Sequence, residues 1–290
     1  MRSRRPSWVD VVAAAMLLAG CSTSSAGPIG AAPDRVIAGP QGAVGQFVVE
    51  CGFDRFRADD PIVHPGDAGA SHLHQFFGAH DVAADSVAER VRGGETTCDQ
   101  RADTASYWAP ALIGADGPIE PTKAVAYYRA GPDVDPLTVV PYPPGFMIVA
   151  GDHTATDAQP TSVVAFGCGT GGARTAEPSE CGVNGITLTI TFQDCWNGVD
   201  VRSSIPSQPA LHVSYSRSGS CPSAHPVSIP QLQLAIEYPA TSGVDPATLA
   251  LTSGDIHSGH ADFWNTWDEV KLRREVERCI TRDLVCGVSG

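Results

Sequence analysis

From residue 45 onward the chain alternates. Ile186, Leu188, Ile190 and Phe192 are separated by Thr187, Thr189 and Thr191, a period of two with β-branched residues that predicts a half-buried strand. Similar runs predict strands at 46–51 (QFVVEC), 124–128 (AVAYY), 146–151 (FMIVAG), 163–168 (VVAFGC), 211–216 (LHVSYS) and 231–238 (QLQLAIEY). Turns rich in Pro and Gly, such as PYPPG (141–145) and GTGG (169–172), lie between them. Helical spacing is scarce. DSVAERVRGG (85–94) predicts one short helix ending at its glycines. NTWDEVKLRREVERCITR predicts another near the C-terminus: Thr266 and Glu269 have capping-box spacing, and Leu272, Val276, Cys279 and Ile280 share a face. The expected fold is mainly β: an antiparallel, β-sandwich-like single domain over 46–290, with long loops and a C-terminal helix.

The first forty-odd residues follow another pattern. Arg2, Arg4 and Arg5 precede an apolar run from Trp8 to Ala19, dented by Asp10. That run is too short for a permanent membrane span and has the layout of a secretory signal. It ends Leu17-Leu18-Ala19-Gly20-Cys21, which resembles the lipobox of bacterial lipoproteins. The resemblance implies a signal peptide at 1–20 and a Cys21 carrying lipid, palmitate among the acyl chains. A Ser-, Gly-, Ala- and Pro-rich tether at 21–45 would follow. The membrane surface is then a partner through Cys21, and the location is the extracytoplasmic cell envelope. An ordinary cleaved signal with a chance cysteine is the alternative. No other segment approaches 18 continuous apolar residues.

Charge and cysteine change the picture next. The chain carries a formal net charge of -13. Loss of residues 1–20, with three Arg and one Asp, would leave about -15. With no basic run, nucleic acid is excluded as a partner. Of nine cysteines, Cys21 is set aside for lipid. The other eight, Cys51, Cys98, Cys168, Cys181, Cys195, Cys221, Cys279 and Cys286, read as four disulfides in an exported chain. Sequence leaves the pairing open. The sequential set, 51–98, 168–181, 195–221 and 279–286, is the expectation. A cysteine-bound zinc is disfavoured, because no CxxC occurs.

Candidate chemistry gathers in two segments, SHLHQFFGAH (71–80) and GDIHSGHADF (254–263). His72 and His74 are two apart, so on a strand both imidazoles point to one face. With His257, His260 and Asp262 they form a candidate set for one transition metal ion, zinc or copper. Gly254 and Gly259 free the later loop to bring its ligands inward. A metal-free acid/base site would use His72 and His260 with Asp262 or Asp255. Structural histidines that bond loop carbonyls are the competing reading. His64 and His80 only flank the first cluster. Trp108 and Trp264 are expected to be partly exposed beside the site, where they would stack on a cell-wall glycan. Asp152, His153 and Asp194 at strand ends permit glycoside cleavage, although turn capping explains such acids more simply. There is no GxSxG, HExxH, Walker loop or GxGxxG opening a helix.

DPIVHPG (60–66), SHLHQFFG (71–78), SYWAPAL (106–112), YPPGFMIVAGD (142–152), FQDCWNGVD (192–200), LHVSY (211–215), HPVSIPQL (225–232) and GDIHSGHADFWNTWD (254–268) occur in that order. Together they resemble domain of unknown function family 1996, a secreted domain of fungi and bacteria, over about residues 47 to 282. The resemblance implies secretion and the two histidine segments, and it implies no reaction. Two positions depart from the family pattern. Asn197 stands where an aspartate is usual after Cys195-Trp196, and Thr266 stands where a glycine is common. Two classes of function stay open: an enzyme with a His/Asp cleft acting on an envelope glycan, and a non-catalytic binding or surface-structural lipoprotein.

Overall fold

Nine strands carry the fold: β1 (Gln46–Arg57), β2 (His74–Gly78), β3 (Ser106–Pro110), β4 (Lys123–Arg129), β5 (Met147–Gly151), β6 (Val164–Cys168), β7 (Ile186–Thr191), β8 (Gln231–Glu237) and β9 (His260–Trp264). The computed structural model describes residues 37–38, 45–169, 171–240 and 245–287. The expected signal at 1–20 and Cys21 lie outside the described residues, as does most of the tether at 21–45.

These strands form one sheet in the order β5–β9–β3–β2–β1–β4–β8–β7–β6, with antiparallel neighbours throughout. The long β1 serves both halves. Its first part pairs with β4 and its last part with β2, and the register shifts between Phe53 and Arg55 where the strand bends. The sheet curls until it is nearly a barrel, and Gln193 just past β7 donates to the Val149 carbonyl on β5 at 3.1 Å. The two packed layers expected from the sequence are therefore opposite walls of one mainly antiparallel sheet.

Alternation fills the inside. Phe47, Val49, Ala126, Tyr128, Leu188, Ile190, Leu234, Ile236, Ile148 and Phe263 all belong to one buried core. Three strands escape the alternation rule, because β2, β3 and β9 are buried at every residue. Their outer face carries a second apolar cluster of Phe76, Trp108, Val149 and Trp264. The segment 62–91, which contributes Ile62, Val82 and the short helix α1 (Ala88–Val91), covers it. Strands covered on both faces read as continuous apolar runs.

Expected strand 211–216 shrinks to Val213–Ser214, in a small sheet with Cys195–Trp196 and Val227–Ser228. The last helix, α2 (Glu269–Glu275), runs on as a π-helical turn at Val276–Ile280. Leu272, Val276, Cys279 and Ile280 face the core as predicted. The capping box does not form. Asp268 is the cap, accepting from the Lys271 N–H at 2.8 Å, while the Thr266 hydroxyl donates to the Thr104 carbonyl. All four disulfides follow the sequential pairing. Cys279–Cys286 ties the helix end to Leu284–Cys286, which pairs in parallel with the start of β1.

Candidate functional site

The outer face of β2, β3, β9 and β5 is apolar over Phe76, Trp108 and Val149, and then changes character. Asp262 on β9 lies between Trp108 and Val149 in register. His260 follows two residues earlier on the same face, and His74 opens β2 opposite Pro110 of β3. The sheet thus carries His74, Asp262 and His260 at one end of a buried apolar row. His72 precedes β2 in a loop, so only one member of the His72–His74 pair is on a strand.

Local bonds hold this arrangement. The Ala111 N–H and the Thr252 hydroxyl both donate to the Leu73 carbonyl, which fixes the chain between His72 and His74. Gln159 Nε2 donates to the carbonyls of His257 and Gly259, each at 2.8 Å, and fixes the approach to His260. Gly259 is needed for close approach: a Cβ there would lie 2.7 Å from Val164 Cγ1.

The rings of His72, His74 and His260 converge. Their centroids are 4.2 Å apart for 72–74, 5.0 Å for 72–260 and 5.9 Å for 74–260. One nitrogen from each lies within 4.8 Å of the others. Tautomers follow from the neighbours. His74 Nδ1 is 3.0 Å from the Asp59 carbonyl, and His260 Nδ1 is 2.9 Å from the Ser258 carbonyl. A carbonyl only accepts, so Nδ1 carries the proton in both rings and Nε2 keeps its lone pair. Nε2 of His72 and of His74 are buried with no partner. Burial, followed by the charges of His153 and His64, pushes His72 down to about 4. Burial takes His260 to about 3 and His74 well below the usual imidazole value. Three neutral nitrogen donors therefore face one another at neutral pH.

Beside them is a carboxyl pair. Asp60, His74 and Asp262 also place ligand atoms within 4.8 Å of one another. Asp60 Oδ1 accepts from the Ile62 and Val63 N–H groups, both at 2.9 Å. Both oxygens of Asp262 are buried without a partner. Burial, and then the charge of Asp60, raises Asp262 well above the usual carboxylate range.

Other expected residues lie elsewhere. His257 turns its Nε2 toward Glu177 at 3.6 Å and does not join the three rings. Asp255 caps its own turn by accepting from the His257 N–H at 2.8 Å. Trp108 and Trp264 are 0% and 1% exposed, which corrects the expectation of exposed rings: segment 62–91 covers their face. Asp152 also caps a turn, accepting from Thr154. His153, next to it, does reach the cluster, with its ring 5.9 Å from His260. Asp60 is the member that sequence reasoning missed. Its only signal was its place at the head of DPIVHPG, where an acid reads as a turn cap, and it is one. Among the described residues, two further ligand-like groups contain cysteines, but these sulfurs are tied up in disulfides.

No curated protein and no solved structure matches the chain. The profile of a family described as domain of unknown function (DUF1996) matches residues 60–267, most of the chain and every residue of the histidine–carboxyl cluster. The chain belongs to that family.

Proposed function

We propose that this domain binds one transition metal ion, zinc or copper, at His72, His74 and His260, with Asp262 and Asp60 beside it. The carrying observation is the mutual approach of three imidazoles, two with Nδ1 donating to backbone carbonyls. That is the outer contact by which protein frameworks orient metal-bound histidines. The buried Nε2 atoms of His72 and His74 have no hydrogen-bond partner, which leaves their lone pairs available to an ion. Imidazole suits zinc and copper, which bond nitrogen at about 2.0–2.1 Å in the zinc case, so the three rings would close in slightly on loading.

His72 is only half-buried, which leaves one side of the cluster toward solvent. An ion with three protein ligands and an open position activates a bound water, and this supports a hydrolytic enzyme over a purely structural centre. An envelope glycan as its substrate rests on the lipobox-like leader alone. Burial of Trp108 and Trp264 removes the rings that would have stacked on sugar. A non-catalytic metal-binding lipoprotein is the second reading, favoured by that lack of an aromatic platform.

The test is elemental analysis of the purified full chain, with thermal melting in zinc or copper and in chelator. About one ion per chain is expected. At ligand one hundred times Kd, binding contributes about 2.7 kcal/mol, which raises Tm by about 5–10 °C for a domain this size. His72→Ala, at a half-buried position, should keep the metal-free Tm and lose the increment. Equal melting with and without every metal tried would refute the proposal.

A further inference from the structure

Away from the histidines, the outer face of β4, β8, β7 and β6 holds a groove of about 300 Å3. Arg129, Arg174, Thr187, Thr189, Tyr127 and Gln233 line it. Register sets its floor, with Gln233 beside Tyr127 and Ala235 beside Thr189. Past β6, Thr175 pairs with Phe166 along that strand's outer edge, and Gly171 and Gly172 line the groove. A Cβ on Gly172 would lie 2.6 Å from the Cys168 carbonyl oxygen, so glycine is needed there. Arg174 lies between these glycines and Thr175 in the chain and lines the groove.

Arg174 is held in place. Its Nη2 donates to Gln233 Oε1 at 2.7 Å, and Gln233 Nε2 donates to Thr191 Oγ1 at 3.0 Å. Neither Arg174 nor Arg129 has a carboxylate partner among the described residues. Arg129 is half-buried, and burial together with the charge of Arg174 lowers its pKa. At the far end of the groove Thr187 Oγ1 is buried with no partner. Beyond it Lys123 Nζ is 3.0 Å from Glu50 and 4.0 Å from Glu237, whose Oε1 is buried without a hydrogen-bond partner. On this one face two guanidiniums share a cavity and have no carboxylate partner among the described residues.

We infer that this groove binds an oxyanion, a carboxylate or phosphate group on a small hydroxylated molecule. Arg129 and Arg174 hold the charge, with Gln233, already bonded to Arg174, beside them. A guanidinium offers a planar fork that matches either oxyanion. The volume is at the low end for small-molecule sites, so it fits one sugar-sized unit. The chain's net charge of -13 repels anions in general, so saturable binding must come from this local pair.

Calorimetric titration of the purified full chain at fixed ionic strength tests this, with galacturonate and inorganic phosphate as probes and galactose as the neutral control. Saturable binding of at least one acid, with galactose about tenfold weaker or more, is expected, and the acid that binds identifies carboxylate or phosphate. Arg129→Gln and Arg174→Gln should each weaken binding by about tenfold or more, because each removes one charge-assisted fork. Both should retain Tm and zinc uptake, since no ion pair is lost and the histidines are untouched. No saturable binding of either acid, or unchanged affinity in both variants, overturns the inference.

Discussion

Gly151 at the end of β5 and His260 at the start of β9 are register partners, and the gap between them has no room for a side chain. A Cβ on Gly151 would lie 2.4 Å from the Gly259 carbonyl oxygen and 2.8 Å from His260 Cα. Gly151 also has φ of 85°, where L side chains are strained. One glycine therefore sets how closely the late histidine approaches the sheet.

Gly151→Ala should displace His260. A loss of about 1–3 kcal/mol is expected, together with weaker zinc uptake. Gly66→Ala is the matched control: its φ is 79°, but nothing lies within 4 Å of the added Cβ. It should cost about 1 kcal/mol from strain alone and leave uptake intact. Urea denaturation and zinc titration of both variants check the pair. Normal uptake in Gly151→Ala would mean that His260 is positioned by something else.

Asp262 couples site to stability in the opposite sense. Its two buried oxygens have no partner, and its register neighbours are Trp108 and Val149. An unpartnered buried polar group costs about 1–3 kcal/mol. Asp262→Val fits the strand and the row, so it should stabilise the metal-free chain by about that amount while weakening metal uptake. Urea midpoints in chelator decide this. A destabilised Asp262→Val would mean that the carboxyl has a native partner after all.

The legible part of this fold is the part whose outer face is built from polar residues. The alternation at Ile186–Thr191 placed β7, and its inward residues are core residues. It was silent for β3 and β9, where Trp108 and Trp264 sit under a loop that no local pattern announces. For the same reason the two tryptophans read as surface rings. The His72 and His74 spacing marks a segment that joins the histidine cluster. Its convergence with His260 depends on β9 lying two strands from β2, a long-range fact of the sheet order. Spacing could not separate His260 from His257, since a turn capped by Asp255 sends the latter toward Glu177. Asp60 needed both its turn and the neighbouring Asp262 to be seen as more than a cap.

The disulfides should rank by the loops they close. Cys51–Cys98 spans 47 positions and Cys279–Cys286 spans 7. Loop-closure entropy assigns about 4 kcal/mol to the first and about 2 kcal/mol to the second. Paired alanine replacements of each bridge, compared by urea denaturation, should show the larger loss for 51–98. A reversed order would show that folded-state contacts around the C-terminal helix outweigh chain entropy.

Asp103 gives the chain a pH dependence of known sign. Its carboxyl is fully buried, accepts from Tyr107 Oη at 2.6 Å and from the Ala105 N–H at 3.0 Å, and is pushed up by burial to about 8. Unfolded, it ionises near 3.8. Between those values the folded chain holds a proton that the unfolded chain has released. The stability linked to this proton is full below about 3.8 and is lost as pH rises to about 8. The buried histidines, whose pKa values are lowered, act in the other direction, so the Asp103 contribution is isolated by difference. Relative to Asp103→Asn, the unaltered chain should lose stability steadily from pH 5 to pH 8, by up to about 1.4 kcal/mol per pH unit. Parallel stability profiles for the two chains across that range would show that Asp103 is already ionised in the folded protein.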